Sequence, residues 1–152
     1  MQVETIRDIL HWTGQFHTSL SECLNRGAQR NKSERCVMIL EYLAEHEARL
    51  AKVLADSEKD GDVQALDTWC YDYMNDRSIV NDALCDAPFH SFDSAEIIHE
   101  VMEQHNQVIE LYRNLSERAD IPEARELLES LHSFEEHEAM QMTQTANRFS
   151  DM

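Results

Sequence analysis

Glycine and proline are nearly missing from this sequence, with three of one and two of the other in 152 residues. An all-β chain needs many tight turns, and five such residues cannot supply them. Long helices with few connections are expected instead. Lysine is scarce as well (Lys32, Lys52, Lys59), and 13 basic residues stand against 30 acidic ones, a formal charge of -17. A chain that grips DNA or RNA needs a basic face, so neither nucleic acid nor an anionic membrane is an expected partner. No apolar run approaches the roughly 20 residues of a membrane span. The stretch from Met1 to Leu10 lacks the apolar core of a signal peptide. Cys23, Cys36, Cys70 and Cys85 contain no Cys-x-x-Cys pair, which argues against zinc ribbons and thioredoxin-type chemistry. The expectation is reduced thiols in a cytoplasmic protein, with Cys23 and Cys36 facing each other as a buried pair. A Gly-rich phosphate loop and a G-x-S-x-G elbow are both absent.

What is present is an apolar fraction of 42%, enough for one core, arranged at helical spacing. A first helix is predicted over about 5–26, with the stripe Ile6, Leu10, Thr13, Leu20, Leu24 and His17 within it. Gly14 interrupts this helix and Gly27 is placed to end it. A second helix over about 33–60 follows a short turn. Asn31 with Glu34 reads as its capping box, with Ser33 a rival cap. Its stripe is Cys36, Leu40, Leu43, Leu50, Leu54, with Glu47 in the middle. A crossover over about 61–93 carries two short helical stretches, Val63 to Tyr73 and Ser78 to Leu84, and is closed by Pro88. Helices over about 94–119 and 121–149 complete the chain. The first of these opens on an Asp93/Glu96 capping box and holds His105 within Ile97, Val101, Val108, Tyr112 and Leu115. The second opens on Asp120 and Pro122. Its predicted stripe is Leu127, Leu131, Phe134, Met142, Thr145, Phe149, with Glu138 in the middle. Residues 1–152 thus read as one all-α domain, a four-helix bundle of two antiparallel hairpins joined by a long crossover. An up-down-up-down bundle with the middle segment bulging outwards is the alternative.

The two hairpins resemble each other. His17 with Glu22 matches His105 with Glu110, and Glu45-His46-Glu47-Ala48 matches Glu136-His137-Glu138-Ala139. His17, Glu47, His105 and Glu138 therefore put one polar residue on the apolar stripe of each helix. His46 and His137 sit one residue away as reserves. Burying carboxylates without partners is costly. A cation would remove that cost, and imidazole with carboxylate suits iron, manganese or zinc. Direct His–Glu hydrogen bonding without metal removes it too. The Glu-x-x-His strings Glu96 to His99 and Glu129 to His132 lie off the stripes and read as solvent-face pairs. Met140 and Met142 read as core filler. Trp12, Trp69, Tyr71 and Tyr73 read as packing or a dimer face.

Paired hairpins, a long crossover and matching Glu/His positions resemble the ferritin-like superfamily, in particular its rubrerythrin branch. The family's pattern is a Glu from helices 1 and 3 and a Glu-x-x-His from helices 2 and 4. By position, His17 and His105 stand where the family has glutamates. Glu47 and Glu138 match its other two glutamates, but Leu50 and Gln141 replace the histidines that should follow. Tyr112 resembles the family's recurring tyrosine. The resemblance implies a metal site with degenerate motifs, iron first, and a non-haem redox or oxidative-stress role. A His-x-x-x-His helix of haemerythrin type is absent. The alternative function is a metal-free interaction or dimerisation module whose partner surface is the aromatic 62–92 segment.

Overall fold

The computed structural model describes residues 5–70 and 86–151, which are helical over most of their length. Helix α1 spans Ile6–Arg30 and α2 spans Glu34–Asp60. A single turn, α3, covers Val63–Leu66, and a 3-10 turn covers Phe89–Ser91. Helix α4 spans Ser94–Arg118 and α5 spans Pro122–Asp151. Among the described residues there is no strand, only one isolated bridge between Thr5 and Trp69. No helix of the described residues is long and apolar enough to cross a membrane. The all-α expectation holds.

Capping fixes the helix starts. Thr5 and Asp8 form a capping box on α1, and Asp93 and Glu96 form one on α4. At α2 the cap is Ser33, whose hydroxyl accepts from the Cys36 N–H, and not Asn31. Asn31 is occupied elsewhere. It ends α1, its side-chain oxygen accepts from the Ser33 N–H, and its amide donates to the carbonyls of Phe89 and Phe92. A residue that ties the crossover to the hairpin turn is not free to cap a helix.

The α1/α2 hairpin is antiparallel, as the partners Arg7–Glu58, His17–Glu47 and Ser21–Ala44 show. The α4/α5 hairpin follows the same rule through Ser94–Ser150 and Met102–Thr143. The described ends of the crossover lie at opposite ends of α1. Thr68 accepts from the Ile6 N–H at its start, whereas Phe89 packs on Gly27 near its end. Helix α4 therefore starts at the same end of α1 as α2 does. The bulging up-down-up-down alternative does not fit these anchors. The predicted helix from Val63 to Tyr73 stops at Leu66, because Thr68 and Trp69 turn to pair with the otherwise unbonded start of α1. Tyr71, Tyr73, the Ser78 to Leu84 stretch and Cys85 lie outside the described residues. Cys23, Cys36 and Cys70 are buried.

The repeat is more regular than its sequence matches suggest. Helices α1 and α4 each have 25 residues, and their bounds differ by 88 in residue number, as do the starts of α2 and α5 at 34 and 122. The caps Thr5 and Asp93 keep the same offset. So do the buried pairs Ile9/Ile97, Leu24/Tyr112, Leu40/Leu128 and Leu43/Leu131. On α5 this register overturns the predicted stripe. Ala124, Leu128, Leu131, Glu135, Ala139, Met142 and Ala146 face inwards. Leu127, Phe134, Glu138, Thr145 and Phe149 are only half-buried flanks. Three alanines, Ala124, Ala139 and Ala146, are part of this buried face, and bulkier side chains stand at its edges.

The two mid-helix glycines have opposite roles. Gly27 does not end α1, which runs on to Arg30; a Cβ there would stand 2.5 Å from the Cβ of Phe89. A Cβ on Gly14 would meet only the Ala51 carbonyl, at 4.0 Å. Gly27→Ala should therefore destabilise the protein by about 1–3 kcal/mol through overpacking. Gly14→Ala should stabilise it by up to about 1 kcal/mol through helix propensity. Urea unfolding of the two variants checks both signs, and equal effects would contradict the packing described.

Candidate metal centre

Four helices each send one polar side chain into the middle of the core. His17 comes from α1, Glu47 from α2, His105 from α4 and Glu135 from α5, and all four are 0% exposed. They form a ring in which histidine and glutamate alternate. His17 Nδ1 lies 2.5 Å from Glu47 Oε2, and its Nε2 lies 2.7 Å from Glu135 Oε1. His105 Nε2 is hydrogen-bonded to Glu47 Oε1. At the fourth corner, His105 Nδ1 and Glu135 Oε2 face each other at 3.4 Å, and neither has a hydrogen-bond partner. Helix packing alone brings the four to one level. His17 and Glu47 are 30 residues apart, and so are His105 and Glu135.

The sequence located three members of this ring. The fourth member expected from the sequence, Glu138, is not in the ring, where Glu135 stands instead. Glu138 lies one turn beyond Glu135, at the half-buried edge of α5, where it accepts from His46 Nε2 at 2.8 Å. Matching Glu136-His137-Glu138-Ala139 to Glu45-His46-Glu47-Ala48 slips the repeat by three residues. The constant 30-residue spacing, carried from His17/Glu47 to His105, would have pointed to Glu135. Of the reserves, His46 is buried outside the ring and His137 is solvent-exposed. His99 and Glu129 are exposed and His132 is half-buried, as expected of solvent-face pairs.

Burial and charge pull against each other in the ring. Burial alone would drive both imidazoles towards neutrality. Glu135 and Glu47 outweigh it and raise His17 to about 10, while Glu47 and Glu135 raise His105 to about 9. Burial likewise opposes the charged form of both carboxylates. The two imidazoliums overcome it and hold Glu47 and Glu135 at about 2. The metal-free ring is thus two imidazolium–carboxylate pairs, neutral in sum. His46 moves the other way: burial lowers it, more than Glu138 raises it. Beside the ring, the Tyr112 hydroxyl is 2.8 Å from Thr13 Oγ1. Burial and the Glu135 carboxylate push this phenol well above its ordinary range.

Chemically, the ring offers two carboxylates and two imidazoles in the buried core. Ligand atoms from His17, Glu47 and His105 all lie within 4.8 Å of one another, a group that could hold a metal ion. The unpartnered His105 Nδ1 and Glu135 Oε2 are the kind of buried polar atoms that a ligand would satisfy. No protein-family model matches the chain, and neither a curated protein nor a solved structure does.

The ring sets a pH signature for the metal-free protein. The histidines' folded values lie above their ordinary 6.5, so their stabilisation is full below that pH and is lost as pH rises through 9 to 10. The glutamates' folded values lie below their ordinary 4.5, so theirs is full above that pH and is lost as pH falls towards 2. Urea midpoints measured in EDTA should peak between these limits and fall on both sides. Glu135→Ala should cost about 3–5 kcal/mol by stranding buried charge. Glu138→Ala, at the half-buried edge, should cost about 1 kcal/mol or less. Equal costs would place the wrong glutamate in the core.

Proposed function

We propose that the protein is a metal-binding helical bundle of ferritin-like architecture, holding a divalent ion, iron first, with His17, Glu47, His105 and Glu135. The observation that carries this reading is the convergence of four fully buried ligand-type side chains, one from each long helix, with two facing atoms left unsatisfied. Two carboxylates balance the charge of one divalent ion, and imidazole nitrogens suit iron, manganese and zinc. To serve as ligands the two imidazoles must give up their protons. A bound ion would supply a Lewis-acidic, and for iron a redox-active, centre. The chain's own contribution is to orient the four ligands and to exclude water from them.

The ferritin-like reading is supported by the crossover's anchors at opposite ends of α1 and by the constant offset of 88 between the hairpins. Measured against that family's pattern, Glu47 and Glu135 take the places of the helix 2 and helix 4 glutamates. Leu50 and Glu138 then stand where the histidines belong. Histidines replace the other two glutamates, so few carboxylates remain to bridge two ions. One ion per chain is the expected stoichiometry.

A second reading has its own support. His17 contacts both glutamates within 2.7 Å, so three corners of the ring already satisfy one another. On that reading the ring only fixes the register of a metal-free interaction or dimerisation module, and the exposed Trp69 belongs to its partner surface. The two part on a direct measurement. The untagged protein is incubated with ferrous, manganous or zinc ion, desalted and assayed for metal, and its melting temperature is followed. About one ion per chain with a raised melting temperature is expected. Glu47→Gln and Glu135→Gln should abolish both effects, and Glu138→Gln should leave both in place. No metal above background, or uptake unchanged in the Glu47→Gln/Glu135→Gln variant, would overturn the metal reading.

A further inference from the structure

Outside the core, α2 and α5 border a groove of about 520 Å³. Cavities of this size hold small organic molecules, and a bare ion needs far less. His46 forms part of its lining and is 6% exposed. Arg49 donates to His46 Nδ1 at 3.4 Å, so that nitrogen carries no proton. The other ring nitrogen, Nε2, donates to Glu138 at 2.8 Å. The groove's one carboxylate is thereby occupied by a histidine.

Two arginines are left over. Arg49 and Arg148 both line the groove, and neither has a carboxylate partner among the described residues. In a chain with 30 acidic and 13 basic residues, two cations without acids on one groove are conspicuous. Guanidinium groups are planar forks that match carboxylates in two-point hydrogen bonding. Apolar surface completes the lining, from Leu50, Val53 and Phe134. Counting Arg49, Arg148 and Glu138, the lining carries one net positive charge, which a single anionic head would neutralise.

From this arrangement we propose that the α2/α5 groove binds a small organic monoanion, its carboxylate held by Arg49 and Arg148 and its apolar body lying on Leu50, Val53 and Phe134. The site is distinct from the His/Glu ring and stands whether or not that ring takes an ion.

The test is an NMR titration of the isotope-labelled protein, in EDTA, with benzoate as probe and with benzyl alcohol and inorganic phosphate for comparison. Benzoate should give saturable shifts confined to the groove. Benzyl alcohol has the same body without the charge, and phosphate has charge without the body; each should bind at least about tenfold more weakly. Arg49→Gln and Arg148→Gln change solvent-exposed side chains, so both variants should keep their helical spectra. Each should weaken benzoate several-fold, whereas Arg113→Gln, which breaks an exposed Arg113–Glu110 pair, should not. Absence of saturation at about 10 mM benzoate, about ten-thousandfold above micromolar affinity, overturns the proposal. So does equal binding of benzyl alcohol, or benzoate binding that survives loss of both arginines. Tighter binding of phosphate would make the groove an oxyanion site instead. Dissociation of a homo-oligomer in the arginine variants, read by sedimentation, would make it a protein interface instead. Either result also overturns the proposal.

Discussion

A ring of two histidines and two glutamates, fully buried in the core, makes demands that nothing else among the described residues makes. Four ionisable groups cannot be buried singly. They can be buried together only if charges alternate and contacts are short, which requires four helices to meet at one level. Each hairpin must place its histidine and glutamate opposite each other, and the hairpins must then meet without axial slip. The 30-residue spacing within each hairpin and the 88-residue offset between them express that requirement. So do the capping boxes at Thr5 and Asp93, which start α1 and α4 at equivalent points.

The crossover has a matching task. Two antiparallel hairpins can be joined by a short turn, but the second would then run the other way. Anchoring residue 68 at the start of α1 and residue 89 near its end sets α4 to begin beside the start of α2 instead. The tight contact of Phe89 with Gly27 and the double grip of Asn31 on the Phe89 and Phe92 carbonyls fix where α4 begins. A shift of α4 by one residue rotates its face by about 100° and would turn His105 away from Glu47. The far end of the crossover thus governs a site several helical turns distant.

Much of this was legible in the sequence because helical periodicity is strong on α1, α2 and α4. There the largest apolar residues mark the buried face, and a polar residue among them stands out. Helix α5 was misread because its buried face is built on Ala124, Ala139 and Ala146, while Leu127, Phe134 and Phe149 lie at its margins. A stripe drawn through the bulkiest residues is rotated towards Glu138. Short-range composition added to the error, since an acidic chain offers Glu-His-Glu strings by chance. Asn31 misled for another reason. A cap and a bridge to a distant carbonyl look alike in sequence, and only the position of Phe89 decides between them.

The repeat also shows where the halves differ. Under the offset of 88, His17 maps to His105 and Glu47 to Glu135, so the ring is the same from either side. The groove residues map differently. His46 falls on Phe134, Leu50 on Glu138 and Val53 on Gln141, and all six line the one groove. The groove therefore lies where equivalent faces of α2 and α5 meet. One half gives it a histidine and the other a phenylalanine; one gives a leucine and the other a glutamate. Arg49 maps to His137 and Arg148 to Asp60, so neither arginine has an arginine or lysine as its twin. A surface relieved of symmetry can present one charged end and one apolar end to a molecule that itself has two different ends.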